Sequence, residues 1–197
     1  MNQERLNEIE KPLLHLVERD VVPALGCTEP ISLALAAATA AKYLGKTPER
    51  IEAKVSPNLM KNGLGVAVPG TGMVGLPIAA AIGALGGDPE GELEVLKHIT
   101  PEQVSQAKVM LDKKLVNVDI HQTEHILYSE AVLLADNDRV KVAIQDLHTN
   151  IILIEKNGEV VFEKEQDECA DCDPYDIFKQ VSAREIFEFS CEVELDK

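Results

Sequence analysis

The first residue in this sequence that could do chemistry is Cys27, in the segment G-C-T-E-P at residues 26–30. Thr28 is a suitable helix N-cap with Glu29 in the first turn, which places Cys27 at a helix N-terminus. The free N–H groups there stabilise a thiolate, whereas a nearby carboxylate such as Glu29 raises a thiol pKa. A reactive thiol and a small buried hydrophobe therefore both stay open as interpretations of Cys27.

A second candidate is the glycine-rich tract at residues 70–75, G-T-G-M-V-G, between a predicted short strand and a predicted helix. A dinucleotide site would also need a βαβ unit and an acidic residue about twenty residues further on. The downstream strand signals are antiparallel instead. A tight turn with close helix packing and a cradle of amides for a carboxylate are the other two interpretations. Asn58, Lys61 and Asn62 could add donors, so we predict that both segments share one anion-accepting surface.

Three other groups of cysteine and histidine are weaker signals. Cys169 and Cys172 have C-x-x-C spacing in an acidic run, but structural metal sites usually need two such pairs. Loop chemistry or an adventitious metal site are the interpretations left for them. His121 and His125 lie at a strand-to-loop junction, where their spacing does not indicate ligation. The segment at residues 148–150, His-Thr-Asn, lies at a predicted turn. No metal ligand is assigned in this chain.

The elements that must position these residues change character along the chain. Apolar spacing predicts an N-terminal helix that starts or kinks at Pro12, and an S-x-x-E capping box opens a last helix at Ser182. Asn157-Gly158 predicts a tight hairpin. Further helices are predicted at 29–44, 76–85 and 101–114, and strands at 51–55, 116–120, 127–135, 140–145, 151–154 and 160–162.

These elements predict an α+β fold with helices packed on a mixed, largely antiparallel sheet. Three segments are expected within residues 1–197. Residues 1–50 form a helical arm with the Cys27 motif, residues 51–165 an α+β unit similar to a ligand-binding domain, and residues 166–197 an acidic loop and a C-terminal helix.

Composition limits the classes of partner. The 197 residues carry a formal net charge of −15, which repels phosphate backbones and anionic lipid and argues against nucleic-acid or membrane binding. The polar start is not a signal peptide, and Gly and Pro break the apolar runs below membrane-spanning length. Four cysteines do not make a disulfide scaffold in a chain of this size. The expected location is the cytoplasm.

Three segments together resemble one known family. They are P-A-L-G-C-T-E-P-I-S-L-A at residues 23–34, S-P-N-L-M-K-N-G at 56–63 continuing to G-T-G-M-V-G-L-P at 70–77, and H-T-N at 148–150. The chain resembles the N-terminal half of the L-cysteine desulfidases, which are related to the alpha chain of iron–sulfur L-serine dehydratases. Its middle part is also similar to the ligand-binding β-type domain of serine dehydratases.

The resemblance implies α,β-elimination from L-cysteine or L-serine, giving pyruvate and ammonia, with sulfide from cysteine. It also implies a 4Fe–4S cluster that acts as Lewis acid on the leaving group, with its ligands in the C-terminal half and not in this chain. Cys27, as base or active-site thiol, and Glu29 are the implied catalytic residues. The implied substrate-binding residues are Thr28, Asn58, Lys61, Asn62, Gly70, Thr71, Gly72, His148, Thr149 and Asn150.

The expected partners are a small amino-acid substrate and the C-terminal half of the same enzyme, and a homodimer is left open. This fragment alone is expected to be inactive. The alternative function is a non-catalytic regulatory domain that binds an amino acid. The role of Cys27 separates the two, because a lyase needs the thiol and a binding domain tolerates serine there.

Overall fold

The computed structural model describes residues 3–165 and 175–193. The chain divides into two compact units, one formed by residues 1–22 and 166–197 and the other by residues 23–165. The expected boundary near residue 50 is not where this division falls, because the helix that follows Cys27 packs on the sheet of the second unit. The α+β class is confirmed by the helices and the six-stranded sheet.

The unit of residues 23–165 contains all the strands found in the described residues. Its helices are α2 (Thr28–Leu44), α3 (Pro57–Gly63), α4 (Leu76–Gly86) and α5 (Pro101–Asp112), with a 3₁₀ segment at Pro89–Glu94. Its strands are β1 (Arg50–Val55), β2 (Ala67–Val68), β3 (Met73–Val74), β4 (Val116–Ile120), β5 (Tyr128–Ala135), β6 (Asp138–Gln145), β7 (Ile151–Lys156) and β8 (Glu159–Glu163). The first helix of the chain, α1 (Gln3–Asp20), and the last, α6 (Ala183–Glu192), belong to the other unit.

The main sheet has the order β4-β1-β5-β6-β7-β8. Strands β5 to β8 form the predicted antiparallel meander, and Asn157 and Gly158 make its last turn with φ of 54° and 87°. Strand β4 is not part of this meander, since it pairs with β1 in parallel. The glycine-rich tract belongs to a separate two-stranded sheet, in which β2 and β3 pair in antiparallel register.

Helices α2 and α4 form the core against the sheet. Small residues allow their backbones to approach closely: a Cβ on Gly83 would lie 2.3 Å from the carbonyl oxygen of Ala34. Residues 31–40 of α2 are all buried. The chain has 4% aromatic residues and no Trp. Its core is therefore built from Ala, Leu and Ile side chains, on helices whose backbones lie close together.

Two local features near Cys27 differ from the expectation. The N-cap of α2 is Cys27 itself, with Thr28 the first helical residue, and no side chain caps the helix. Helix α3 is an addition to the predicted elements, since it lies between the predicted strand at 51–55 and the predicted helix at 76–85. Ser56 caps this short helix by accepting a hydrogen bond from the Leu59 amide, and Pro57 occupies the first turn, where its missing N–H costs nothing.

The unit of α1 and α6 has a small core of its own. Leu6, Ile9 and Leu13 of α1 pack with Phe189 of α6. Helix α1 runs from Gln3 to Asp20 with Pro12 inside it, so it does not start at Pro12. The predicted capping box at Ser182 and Glu185 opens α6. Among the helices of residues 3–165 and 175–193, none combines the length and apolar character needed to cross a membrane.

Candidate active site at the start of helix α2

Cys27 and Glu29 form a hydrogen-bonded pair at the N-terminus of α2. The thiol Sγ donates to Oε2 of Glu29 over 2.7 Å. Gly26 allows the chain to enter the helix here, since its φ is +88° and a Cβ on it would lie 2.6 Å from Cγ of Pro69. The backbone therefore presents Cys27 at the surface, and the thiol is exposed and free of disulfide bonding.

The two partners shift each other in opposite directions. The hydrogen bond to Glu29 is the main cause that raises the pKa of the Cys27 thiol, and burial adds to it; the amides of Glu29 and Thr28 lower that pKa by less. The same bond is the main cause that lowers the pKa of Glu29, with burial opposing it. The helix N-terminus therefore acts on Cys27 as expected, but the neighbouring carboxylate outweighs it. At neutral pH the pair is a thiol and a carboxylate.

Helix α3 brings two amide side chains to this carboxylate. Asn62 donates its Nδ2 to Oε1 of Glu29 at 3.5 Å, so the two oxygens of Glu29 have different partners. Asn58, one turn earlier, lines the same cleft as Glu29. Ser56 fixes α3 in place, because its buried hydroxyl also donates to the carbonyl oxygen of Ile126 over 2.7 Å.

The cleft beside Glu29 has a volume of about 540 Å³. Its other polar lining groups come from the loops at residues 121–127 and 146–150, namely Glu124, His125, Asp146 and His148. Nδ1 of His125 and Oδ1 of Asp146 are 2.8 Å apart. Burial lowers the pKa of His148, and the charge of Glu29 partly opposes this shift. The cleft thus combines carboxylates, two imidazoles and an amide, a set suited to proton transfer.

The structure does not bring all the expected site residues together. Glu29, Asn58 and His148 share the first cleft, with Cys27 and Asn62 bonded to Glu29 and Thr28 between the two members of the pair. Lys61 is exposed and does not line this cleft. Thr149 and Asn150 line a different cleft beside Tyr43 and Lys164, although they follow His148 directly in the sequence.

The glycine-rich loop lies apart as well. Gly70, Thr71 and Gly72 line a second cleft of about 580 Å³ with Thr100 and Lys108. The Thr71 side chain is buried and stabilises the turn, since its hydroxyl donates to the Val68 carbonyl and accepts from the Met73 amide. Asn58 lines the cleft beside Glu29, whereas Gly70–Gly72 line this second cleft, and the tight-turn interpretation agrees with the hydrogen bonds of Thr71.

The cysteines in the described residues do not fit a cluster site. Cys27 is in the unit of residues 23–165 and Cys191 in the other, and the described residues contain no group of three or more His, Cys, Asp or Glu side chains placed to hold a metal. Cys169 and Cys172 lie outside the described residues.

Sequence reasoning missed His125, Asp146 and Glu124. The hairpin of β5 and β6 has the register Tyr128↔Gln145, so residues before β5 and after β6 face each other. The Asp146 amide accordingly donates to the Leu127 carbonyl. A turn predicted at residues 136–138 could have supplied this register. It would have placed the histidine at 125 near the acid at 146.

Comparison with known proteins gives relatives that are longer than this chain. No family model matches it. A UPF0597 protein of Actinobacillus pleuropneumoniae serotype 3 is 59% identical over 97% of this chain and 44% of its own length. UPF0597 proteins of Yersinia enterocolitica and Parabacteroides distasonis are 52% and 44% identical over 93% and 96% of the chain, which correspond to 43% and 44% of their lengths. Nearly the whole of this chain is thus similar to UPF0597 proteins, but it spans less than half of their length.

Proposed function

We propose that the chain is the N-terminal portion of an iron–sulfur-dependent lyase that eliminates sulfide from L-cysteine, or water from L-serine, to give pyruvate and ammonia. The observation that carries the proposal is the Cys27–Glu29 hydrogen bond of 2.7 Å beside a cleft of about 540 Å³. The cleft has room for a small amino acid. The resemblance of the segments at residues 23–34 and 56–77 supports the choice of reaction.

The pKa shifts favour a division of roles within the pair. Because Glu29 is the deprotonated member of the pair at neutral pH, we assign its carboxylate the role of accepting the Cα proton of the substrate. Its oxygens accept hydrogen bonds from Cys27 and Asn62, which hold the carboxylate in position and make it a weaker base than an unpaired glutamate. Cys27 holds one oxygen of that carboxylate and is the member that can give a proton back. The role implied for Cys27 by the resemblance, a base, passes to Glu29 in this proposal.

Substrate binding in the proposal relies on fewer residues than the sequence analysis assigned. Asn58 lines the cleft and can donate to a carboxylate, and Asn62 orients Glu29. Thr28 supplies a backbone amide at the helix N-terminus. The glycine loop and residues 149–150 line other clefts, and Lys61 is exposed outside the cleft, so the proposal gives them no part in binding.

The rest of the proposed enzyme lies outside this chain. The relatives are more than twice as long as the region matched, and the C-terminal half of the full-length protein is proposed to hold the 4Fe–4S cluster. The fragment alone is therefore proposed to be inactive. The cytoplasm is the proposed location, and the two described cysteines, which are free thiols, are consistent with a reducing compartment.

The test uses the full-length protein after anaerobic reconstitution with iron and sulfide. Pyruvate release from L-cysteine and L-serine is measured for the wild-type protein, for Cys27→Ser and for Glu29→Gln. Cys191→Ser is the matched control, because Cys191 is also a free, exposed cysteine and lies in the other unit. We expect Glu29→Gln to lose about 100-fold or more in kcat and the control to keep wild-type activity. A wild-type protein that carries a full cluster and releases no pyruvate would rule out the proposal.

A non-catalytic amino-acid-binding domain is the second candidate. The raised pKa of Cys27 favours it, since a neutral thiol can serve as a hydrogen-bond donor without reacting. In that case Cys27→Ser binds L-cysteine as tightly as the wild-type protein, measured by calorimetry, and neither protein turns it over.

A further inference from the structure

We propose that His125, held through Nδ1 by Asp146, is the acid that protonates the leaving group of a substrate in the cleft. The proposal rests on the proposed lyase function, and it concerns residues that neither the sequence motifs nor the resemblance assigned.

The first argument is the orientation of the imidazole. The 2.8 Å contact of Nδ1 with Oδ1 of Asp146 occupies one ring nitrogen and leaves Nε2 available for a ligand. With Nδ1 bonded to this carboxylate, Nε2 is the ring nitrogen that can exchange a proton with a ligand in the cleft. The loop is held by its backbone, because the His125 amide donates to Oγ1 of Thr123 over 3.2 Å.

The second argument is the backbone of Asp146. Its φ is +66°, a conformation that costs a non-glycine residue free energy unless its surroundings hold it. Here the Asp146 amide donates to the Leu127 carbonyl over 3.0 Å, and Nε2 of Gln145 donates to Oδ2 of Asp146 over 3.1 Å. These bonds place Oδ1 against His125. A glycine or asparagine would adopt this backbone more readily, but neither carries the negative charge.

The third argument is position. His125 and Glu29 line the same cleft from different elements, His125 from the loop before β5 and Glu29 from the first turn of α2. A substrate between them would meet a base on one side and an acid on the other. Glu124 and His148 also line the cleft. A glutamate is ordinarily deprotonated at neutral pH and has no proton to give, and burial lowers the pKa of His148, which disfavours its charged form.

The chemical step balances with these two groups. The Glu29 carboxylate takes the Cα proton, and the electron pair of that C–H bond forms the Cα–Cβ double bond. The bond from Cβ to the leaving sulfur or oxygen breaks, and its electron pair stays with that atom. The leaving atom then takes the proton from Nε2 of His125, which becomes neutral imidazole. The products are the enamine and hydrogen sulfide or water.

The test compares leaving groups in the full-length reconstituted protein. L-Serine loses hydroxide, which needs the proton most, L-cysteine needs it less, and β-chloro-L-alanine loses chloride, which needs none. For His125→Gln we expect kcat/KM to fall about 100-fold with L-serine, less with L-cysteine and under about 3-fold with β-chloro-L-alanine. Asp146→Asn, which tolerates the positive φ, should give the same order with smaller losses.

The control is His98→Gln, which changes an exposed histidine outside the cleft and should leave all three rates unchanged. Activity with β-chloro-L-alanine also shows that each variant is folded. If kcat/KM falls equally with all three substrates, or if both His125→Gln and Asp146→Asn fail to fold, His125 has a structural role and the proposal is overturned. A wild-type protein with no activity on any of the three overturns the lyase function as well, whereas wild-type activity with unaffected variants overturns this proposal alone.

Discussion

At the scale of single residues, the chemistry of the candidate site depends on which of two opposing effects controls Cys27. The amides at the start of α2 lower the thiol pKa, and the hydrogen bond to Glu29 raises it by more. The consequence is a proton that stays on sulfur at neutral pH. Removing the charge of Glu29 should therefore lower the pKa of the Cys27 thiol, because the amides at the helix N-terminus then act without opposition from the carboxylate.

We predict that Glu29→Gln makes Cys27 react faster with iodoacetamide near pH 7. The folded-state pKa of the thiol is raised by Glu29, so the substitution should move it down and shift the pH–rate curve of alkylation toward lower pH. The measurement is mass spectrometry of Cys27 alkylation between pH 6 and about 10. Cys191 in the same molecule is the internal control. An unchanged curve for Cys27 would mean that Glu29 does not set its pKa.

The same residues show what the sequence could supply. The motif at residues 26–30 correctly indicated a helix N-terminus at Cys27 and the opposing effect of Glu29, since both depend on neighbours within one turn. The position of Lys61 and the environment of Gly70–Gly72 depend on how distant segments pack, which a local pattern does not contain. His125 and Asp146 meet for the same reason, across the register of two strands.

At the scale of elements, Ser56 connects three parts of the site. Its hydroxyl caps α3, which carries Asn58 and Asn62, and donates to Ile126 in the loop that carries His125. Its amide donates to the Tyr128 carbonyl at the start of β5. The Ser56 side chain is fully buried, and its bond with the Leu59 amide is buried, whereas its bond to the Ile126 carbonyl is partly buried.

We predict that Ser56→Ala lowers the free energy of unfolding by about 2 kcal/mol, since it removes an N-cap and leaves the Ile126 carbonyl without its donor. Urea unfolding followed by circular dichroism measures this. Thr100→Ala is the matched control, because Thr100 caps α5 at an exposed site and should cost about 1 kcal/mol. Equal losses for the two variants would show that the Ile126 contact contributes nothing.

The elements differ in how far the sequence predicts them. Helices α2 and α4 and the meander of β5 to β8 follow from composition, glycine stops and alternation, and these predictions are confirmed. Helix α3 is only seven residues long and begins at Pro57, so it has no apolar period to detect. The parallel pairing of β4 with β1 links segments about sixty residues apart, and no turn signal specifies such a pairing.

At the scale of the whole molecule, the unit of α1 and α6 has an electrostatic link of its own. Nε of Arg5 donates to Oε1 of Glu185 over 2.8 Å. This bond, with those from Ser182, lowers the pKa of Glu185 from 4.5 to about 2. A carboxyl group with a lowered folded-state pKa stabilises the fold above its unfolded-state pKa and loses that contribution as the pH falls through the folded-state value.

We predict that packing of α6 on α1 weakens between pH 4.5 and about 2, and that Glu185→Gln removes most of this pH dependence. The Phe189 ring, buried against α1, gives NMR signals that report the packing. Arg184→Gln serves for comparison, because Arg184 pairs with Glu188 within α6. If the Phe189 signals change over the same pH range in Glu185→Gln as in the wild-type protein, another group is responsible.

The division of the chain into units has a consequence for its synthesis on the ribosome. The unit of α1 and α6 is built from residues 1–22 and 166–197, so the whole of the other unit is translated between its two parts. At about 5–20 residues per second, α1 is made on the order of ten to thirty seconds before α6. During that interval Leu6, Ile9 and Leu13 have no Phe189 to cover them. The cleft-bearing unit at residues 23–165 is continuous in sequence and can fold meanwhile, so the apolar side chains of α1 are the ones covered last.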